Sequence, residues 1–144
     1  MNIAQILKAK GRAVATVRPD ASLFEIINKL AQKRIGAIVV VGDNGEVVGI
    51  ISERDIIRAI SAQGPSVLND PVARYMTARV VTVQENTPVI AVMDMMTKGR
   101  FRHVPVVDGD ACVAVISIVD IVKQRVRDIE FEHEALHSYI AGSN

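Results

Sequence analysis

Two spacings of apolar residues alternate along the chain and divide it into predicted helices and strands. Between residues 23 and 33, apolar side chains recur every three or four positions, as on one face of a helix. Ile35 to Val41 is an unbroken apolar run, which is typical of a strand buried on both faces. The polar turn at residues 42–45 contains Asn-Gly and leads into a β-branched run, so the pattern predicts a hairpin. A helix followed by two antiparallel strands is therefore expected.

The second hairpin strand ends in a polar turn that opens another helix. Ser52 stands where an N-cap hydroxyl is expected, and Asp55 lies three residues later, near the positive end of that helix. Such a pair satisfies free backbone N–H groups, so capping by itself explains the turn. A short strand predicted at Ala13 to Val17 completes the order strand, helix, strand, strand, helix.

This order of elements occurs twice. The offset between the copies is 66 before the hairpin and 65 after it, because the second hairpin is one residue shorter. Turn tips tolerate such length changes best, so the pattern indicates duplication. The pairs that carry the repeat are Thr16 with Thr82 (82 − 16 = 66), Ser52 with Ser117 (117 − 52 = 65), and Asp55 with Asp120 (120 − 55 = 65).

The repeat divides the chain into four parts. We assign residues 1–62 to the first repeat with a short N-terminal helix, 63–71 to a linker, 72–127 to the second repeat, and 128–144 to a C-terminal helix and tail. The C-terminal helix has one apolar face. This face either packs on its own domain or contacts a partner in a homodimer. We favour the homodimer, because a helix beyond the repeat has less of its own core to pack on. The face consists of Val126, Ile129, His133, Leu136 and Ile140.

Composition and charge narrow the class of protein. Of 144 residues 49% are apolar, but Trp is absent and only five residues are Phe or Tyr, so the core is predicted to be aliphatic. A net charge of +1 with interspersed signs gives no basic footprint for nucleic acid or a membrane surface. The chain contains no apolar run of membrane-spanning length. The lone Cys112 fits a reducing compartment, so we expect a soluble cytoplasmic protein.

The residues that could carry catalysis are scattered. Cys112 has no spacing partner, and the three histidines do not form a nucleophile–base group. His133 and His137 lie four apart, the spacing of a two-ligand metal face, but no further His or Cys is nearby. The sequence also lacks a Gly-rich phosphate loop. We therefore predict that the protein is not an enzyme and has no metal site.

Two tandem units that each close on Gly/Ala-hydrophobic-hydrophobic-Ser-x-x-Asp resemble the paired cystathionine-β-synthase (CBS) domain module. The match covers about residues 13–127, and the stretches Gly49–Asp55 and Phe101–Asp108 carry it most specifically. The resemblance implies an α+β fold of two β-α-β-β-α repeats with pseudo-twofold symmetry, a Bateman-type module. It also implies a stand-alone regulatory pair, because little chain remains for another domain.

The resemblance implies clefts between the halves that bind adenosine ligands such as AMP, ADP, ATP, NAD(H) or S-adenosylmethionine. Occupancy of the clefts is then passed to an unknown regulated protein. The resemblance assigns the ribose hydroxyls to Asp55 and Asp120, and a carboxylate suits this role because it only accepts hydrogen bonds. Ser52 and Ser117 support the turns or touch sugar and phosphate, and Thr16 and Thr82 match a cleft-wall position.

Basic residues expected to face the phosphates differ between the halves. Arg102 and His103 occupy this position in the second half, where the first half has the uncharged Gly36 and Ala37. We therefore expect two unequal sites, with Gly36 allowing close approach of the adenine. The resemblance also places Val104 and Pro105 in the site, and Arg54 and Arg100 are further candidates.

Two other functions stay open. A structural interaction module whose clefts no longer bind a ligand has the same sequence pattern. A nucleic-acid-binding protein is a second alternative, although the modest charge and the few aromatic residues argue against it.

Overall fold

The computed structural model describes residues 1–142, so Ser143 and Asn144, at the end of the predicted tail, lie outside the described residues. Its helices and strands follow the order that the apolar pattern predicts. Two short 3₁₀ helices, Pro65–Asn69 and Val72–Arg74, connect the halves. The elements are α1 (Ile3–Lys10), β1 (Thr16–Val17), α2 (Leu23–Lys33), β2 (Ala37–Val41), β3 (Val47–Ser52), α3 (Glu53–Gln63), α4 (Val89–Gly99), β4 (His103–Asp108), β5 (Ala111–Ser117) and α5 (Ile118–Gly142).

The first half is a three-stranded sheet in the order β1-β2-β3, with α2 and α3 packed beside it. Strand β1 runs parallel to β2, and the predicted hairpin joins β2 and β3 in antiparallel register. The residues buried between sheet and helices are aliphatic, as the composition predicts. They include Leu23, Ile26, Ile38, Val40, Ile51 and Ile56.

The second half repeats this arrangement in reduced form. Strands β4 and β5 form a two-stranded antiparallel sheet, and Val83 lies beside Val106 in a single parallel bridge where the first half has β1. The registers correspond across the repeat, since Ala37 pairs with Ser52 and His103 pairs with Ser117. The predicted fold class, two tandem repeats related by pseudo-twofold symmetry, is confirmed.

Each half completes the core of the other through the segment that precedes it. Helix α1, which precedes the first repeat, buries Ile3, Ile6 and Leu7 in the core of the second half. In return, Val67 and Val72, which precede the second repeat, are buried in the core of the first half. Two equivalent bridges fasten these segments. They join Asn2 to Pro88 and Ser22 to Pro71.

Because of this crossed packing, two segments pack against the half that does not follow them in the chain. By position α1 is grouped with residues 1–62, but its apolar side chains pack against the second repeat. The segment 63–71, expected as an irregular linker, is mostly a 3₁₀ helix with Val67 only 1% exposed. Position along the chain could not reveal either contact, because both depend on pairing between the halves. The remaining boundaries stay a prediction.

Helix α5 extends well beyond the second half. It runs without a break from Ile118 to Gly142, about 37 Å at the usual helical rise, and among its residues only Ile121 is buried. The division expected at residue 128 therefore falls inside one helix. Over residues 1–142, no helix is both long enough and apolar enough to cross a membrane.

Candidate functional site

The two Ser–Asp turns have the same hydrogen-bond geometry. At the start of α3, the backbone N–H and the hydroxyl of Ser52 donate to Oδ2 of Asp55 over 2.8 and 3.0 Å, and the Asp55 N–H donates to Ser52 Oγ over 3.3 Å. At the start of α5, Ser117 and Asp120 make the same three bonds at 2.8, 3.0 and 3.2 Å. Both turns therefore cap a helix, as their local spacing indicates.

Capping leaves half of each carboxylate available. The bonds from Ser52 and Ser117 all reach Oδ2 of the aspartate, and within the described residues no hydrogen bond reaches Oδ1 of Asp55 or Asp120. A carboxylate oxygen is a strong acceptor, and one fixed by a helix cap is already oriented. Each turn can therefore stabilise its helix through Oδ2 and accept a ligand's hydroxyl through Oδ1.

Both turns open onto one cleft between the halves, with a volume of about 950 Å³. The residues that the resemblance assigns to two clefts line this continuous space from the two halves. Equivalent backbone bonds hold the two corners of the cleft. The Glu53 N–H donates to the Gly36 carbonyl at 2.9 Å, and the Ile118 N–H donates to the Arg102 carbonyl at 2.8 Å.

Most of the predicted site residues line this cleft. They lie at the ends of β2 and β3, at the start of α3, and at the corresponding places in the second half. Lining the cleft puts them within reach of a ligand, but binding by them stays a prediction. The ten residues are Gly36, Ala37, Ser52, Arg54, Asp55, Arg100, Arg102, His103, Ser117 and Asp120.

Four predicted residues lie away from the cleft. Thr16 lines a separate cavity with Arg18, and Thr82 does not line the cleft although Val81 beside it does. Val104 is fully buried in the second core because side chains alternate along β4, and His103 is the one that faces the cleft. Pro105 is also buried, and its carbonyl accepts a hydrogen bond from the Val83 N–H at 3.0 Å.

Lys10 is a cleft residue that the sequence pattern did not indicate. Its ammonium group donates to Oδ2 of Asp120 and to the Val115 carbonyl, both at 2.6 Å. Burial alone raises the pKa of Asp120, but the bonds from Lys10 and Ser117 outweigh it and hold the pKa below its usual value. Among residues 1–142 Asp55 has no such ion pair, so the two halves are unequal at their carboxylates as well as at Arg102 and His103.

Gly36 lies beside the ring of His103 in the cleft lining. A Cβ added at Gly36 would lie 3.3 Å from Nε2 of His103. Desolvation of the half-buried ring and the charge of Lys10 lower the pKa of His103, although the carboxylates of Asp120 and Glu53 act in the opposite direction. The ring is therefore held neutral at pH 7, between cationic and anionic neighbours.

The lowered pKa of His103 predicts a loss of stability in mild acid. As the pH is lowered below about 6.5, the unfolded chain takes up a proton at this residue before the folded chain does. The free energy of unfolding therefore decreases as the pH decreases. We expect the difference in unfolding free energy between wild type and His103→Gln to be constant above pH 7 and to shrink towards pH 5. Urea denaturation at stepped pH measures it, and a pH-independent difference would contradict the prediction.

Comparisons of this sequence with family models and with known proteins agree with each other. The sequence model described as the CBS domain matches residues 10–62 and 72–127. A mitochondrial CBS domain-containing protein of Arabidopsis thaliana is 32% identical over 97% of this chain and 72% of its own length.

Solved structures share the fold along most of the chain. A CBS-domain containing protein from Agrobacterium tumefaciens is 42% identical, with a TM-score of 0.83 over 87% of this chain and 99% of that chain. A CBS domain protein from Pyrobaculum aerophilum, complexed with AMP, is 26% identical, with a TM-score of 0.79 over 92% and 99% of the two chains.

Proposed function

Since this chain belongs to the CBS domain family, we propose that it is a regulatory module that binds an adenine nucleotide between its two repeats. AMP, ATP and NAD(H) are the candidate ligands. The role is regulatory and not catalytic, and occupancy of the cleft is passed to a partner protein.

One observation carries this proposal. Asp55 and Asp120 face the same cleft, and each has Oδ1 available beside a carboxylate oxygen that is already fixed by a helix cap. Two adjacent ribose hydroxyls supply the donors that such an oxygen needs. The AMP complex of the Pyrobaculum aerophilum protein supports an adenosine compound as the ligand.

Titration calorimetry of the nucleotide-stripped protein tests the proposal. AMP, ADP, ATP, NADH and S-adenosylmethionine are titrated separately, with 2′-deoxyadenosine phosphates as matched controls that lack one ribose hydroxyl. We expect dissociation constants in the range of about 1 to 100 μM for at least one ribonucleotide and weaker binding of its deoxy counterpart. If none of the compounds binds while the protein stays folded, the proposal is wrong and the ligand-free interaction module becomes the better interpretation.

The Lys10–Asp120 ion pair offers a route for the signal. A ligand that approaches Asp120 meets a carboxylate already held by α1, so the ligand and Lys10 compete for it or share it. A nucleotide shifts a conformation only when it binds two states unequally, and a ligand that bonds Asp120 would change this contact. A partner protein then responds to the position of α1.

We also propose that the protein is a homodimer joined through α5. Val122, Val126, Ile129 and Leu136 lie on one face of this helix and are 48–59% exposed. Basic and acidic residues occupy different parts of the same helix. Lys123, Arg125 and Arg127 precede the centre, and Asp128, Glu130, Glu132 and Glu134 follow it.

This separation of charge favours an antiparallel pair of α5 helices. A second copy running in the opposite direction, with the twofold axis near Ile129, places each basic segment beside the acidic segment of its partner. A parallel pair places like charges together, which is unfavourable. Burial of the apolar face then supplies most of the association energy, and the charges set the direction.

A further inference from the structure

The positive charge of the molecule is concentrated in the cleft. Its lining contains eight Lys and Arg side chains against the three carboxylates of Glu53, Asp55 and Asp120, a formal balance of +5. The whole chain carries only +1, so everything outside the cleft carries −4 (1 − 5). A concave site lined by one sign of charge focuses its field on the ligand.

Most of these charges have no partner. Of the eight cleft cations, Lys10 alone makes an ion pair with a carboxylate of the described residues. Outside the cleft, four of the nine Lys and Arg side chains are paired, namely Arg12, Arg18, Arg74 and Lys98. Seven unneutralised cations in one cleft repel one another, and an anionic ligand relieves that repulsion.

Two of the seven unpaired cations occupy equivalent positions in the two repeats, and both have an unusual backbone conformation. Arg34 ends α2 with φ of 53°, and Arg100 ends α4 with φ of 56°. These are the only residues other than glycine with positive φ in the part of the chain that the structure describes. Glycine is the residue that such helix ends normally favour, so each arginine is held at a conformational cost. The cost occurs twice, at the same place in the repeat, and both side chains line the cleft.

We infer that the ligand is a nucleotide with at least two phosphates, held with its ribose at one aspartate and its phosphate chain among the unpaired cations of both halves. The inference rests on the proposed function, which it narrows from adenine nucleotides in general to the di- and triphosphates. A monophosphate leaves most of the cationic charge uncompensated, and the cationic S-adenosylmethionine adds to it.

A series of ligands with zero to three phosphates, titrated at two salt concentrations, tests this inference. Adenosine, AMP, ADP and ATP are titrated without magnesium at 50 and 300 mM NaCl. We expect affinity to rise at least about tenfold between AMP and ADP, to rise again for ATP, and to fall more steeply with salt for ATP than for AMP. S-adenosylmethionine should bind more weakly than AMP. AMP binding as tightly as ATP overturns the inference but leaves the proposed function in place.

Substitution of Arg34 and Arg100 by glycine distinguishes the effect of lost charge on binding from an effect of lost stability. The double variant Arg34→Gly/Arg100→Gly removes two charges and also relieves the backbone at both helix ends, so we expect its melting temperature to stay the same or rise. Its affinity for ATP should fall at least about tenfold, while its affinity for adenosine changes less than about threefold. The control Lys8→Ala/Lys33→Ala removes two exposed lysines that do not line the cleft and should leave ATP affinity unchanged.

When a single-stranded oligonucleotide is added to the titrations, three further outcomes exclude the inference. Equal losses of ATP and adenosine affinity in the Arg34→Gly/Arg100→Gly variant show that the arginines do not face phosphate. Preferential binding of a single-stranded oligonucleotide over ATP shows that the cationic cleft serves nucleic acid. The absence of any binding removes both the inference and the proposed function.

Discussion

The Asp55→Asn variant is expected to lose at least about tenfold in nucleotide affinity, and Asp55→Asn/Asp120→Asn at least about a hundredfold, without loss of fold. Asparagine keeps one side-chain oxygen, which can still accept the Ser52 N–H and maintain the cap. The other carboxylate oxygen becomes an amide NH₂ group. A charged acceptor for ribose hydroxyls is thereby lost, which is worth about 1.5–3 kcal/mol at each site.

Ser52→Ala is the matched control for Asp55→Asn. It removes the capping hydroxyl and leaves the carboxylate in place, so stability should fall by about 1 kcal/mol while affinity changes less than in Asp55→Asn. Calorimetric titration and thermal denaturation of the two variants should give opposite patterns. If Asp55→Asn binds as wild type does, Asp55 serves the cap alone.

Asp120→Asn differs from its counterpart because it also breaks the ion pair with Lys10. Lys10→Met breaks that pair while keeping the carboxylate, so it isolates the contribution of Lys10. If Lys10 only competes with the ligand, affinity rises in Lys10→Met. If Lys10 contacts the ligand's phosphates, affinity for ATP falls more than affinity for adenosine.

The Val126→Glu/Ile129→Glu variant should convert the protein from a dimer to a monomer. The two substitutions place charges in the middle of the apolar face of α5, where an antiparallel partner would bury them without a counter-charge. Light scattering during size-exclusion chromatography measures the mass directly. Neither Val126 nor Ile129 lines the cleft, so nucleotide binding should persist in the monomer.

Phe131 provides the control for this interface. It is 73% exposed, more than either replaced residue, but lies on the opposite side of α5. Phe131→Glu should therefore leave the dimer intact. A wild-type protein that is monomeric at about 100 μM, or a Val126→Glu/Ile129→Glu variant that stays dimeric, rules out pairing through this face.

Features predicted correctly from the sequence depend on neighbours along the chain. The spacing of Ser52 and Asp55 defines a capped turn, its recurrence at Ser117 defines the repeat, and the apolar run ending at Val41 defines a buried strand. Each signal lies within a few residues, where periodicity and capping operate.

Features that the sequence did not reveal depend on contacts between distant segments. Lys10 and Asp120 are 110 residues apart, and only the packing of α1 on the second half brings them together. The occupation of the space beside Gly36 by His103 likewise depends on how the halves face each other. The resemblance places Val104 in the site, and the packing of β4 buries its side chain in the second core.

The crossed packing of the two repeats bears on how such a chain could have arisen. The segment that precedes each repeat packs in the core of the other repeat. Helix α1 packs on the second repeat and residues 65–74 pack on the first, and equivalent β-bridges at Pro88 and Ser22 hold them. An ancestor with a single repeat would have had no second repeat within its own chain to supply that segment. It would have needed another copy of itself, with the two copies exchanging their leading segments. Duplication and fusion then turned an obligate pair of molecules into one polypeptide, so association between repeats is older than the chain that now contains both.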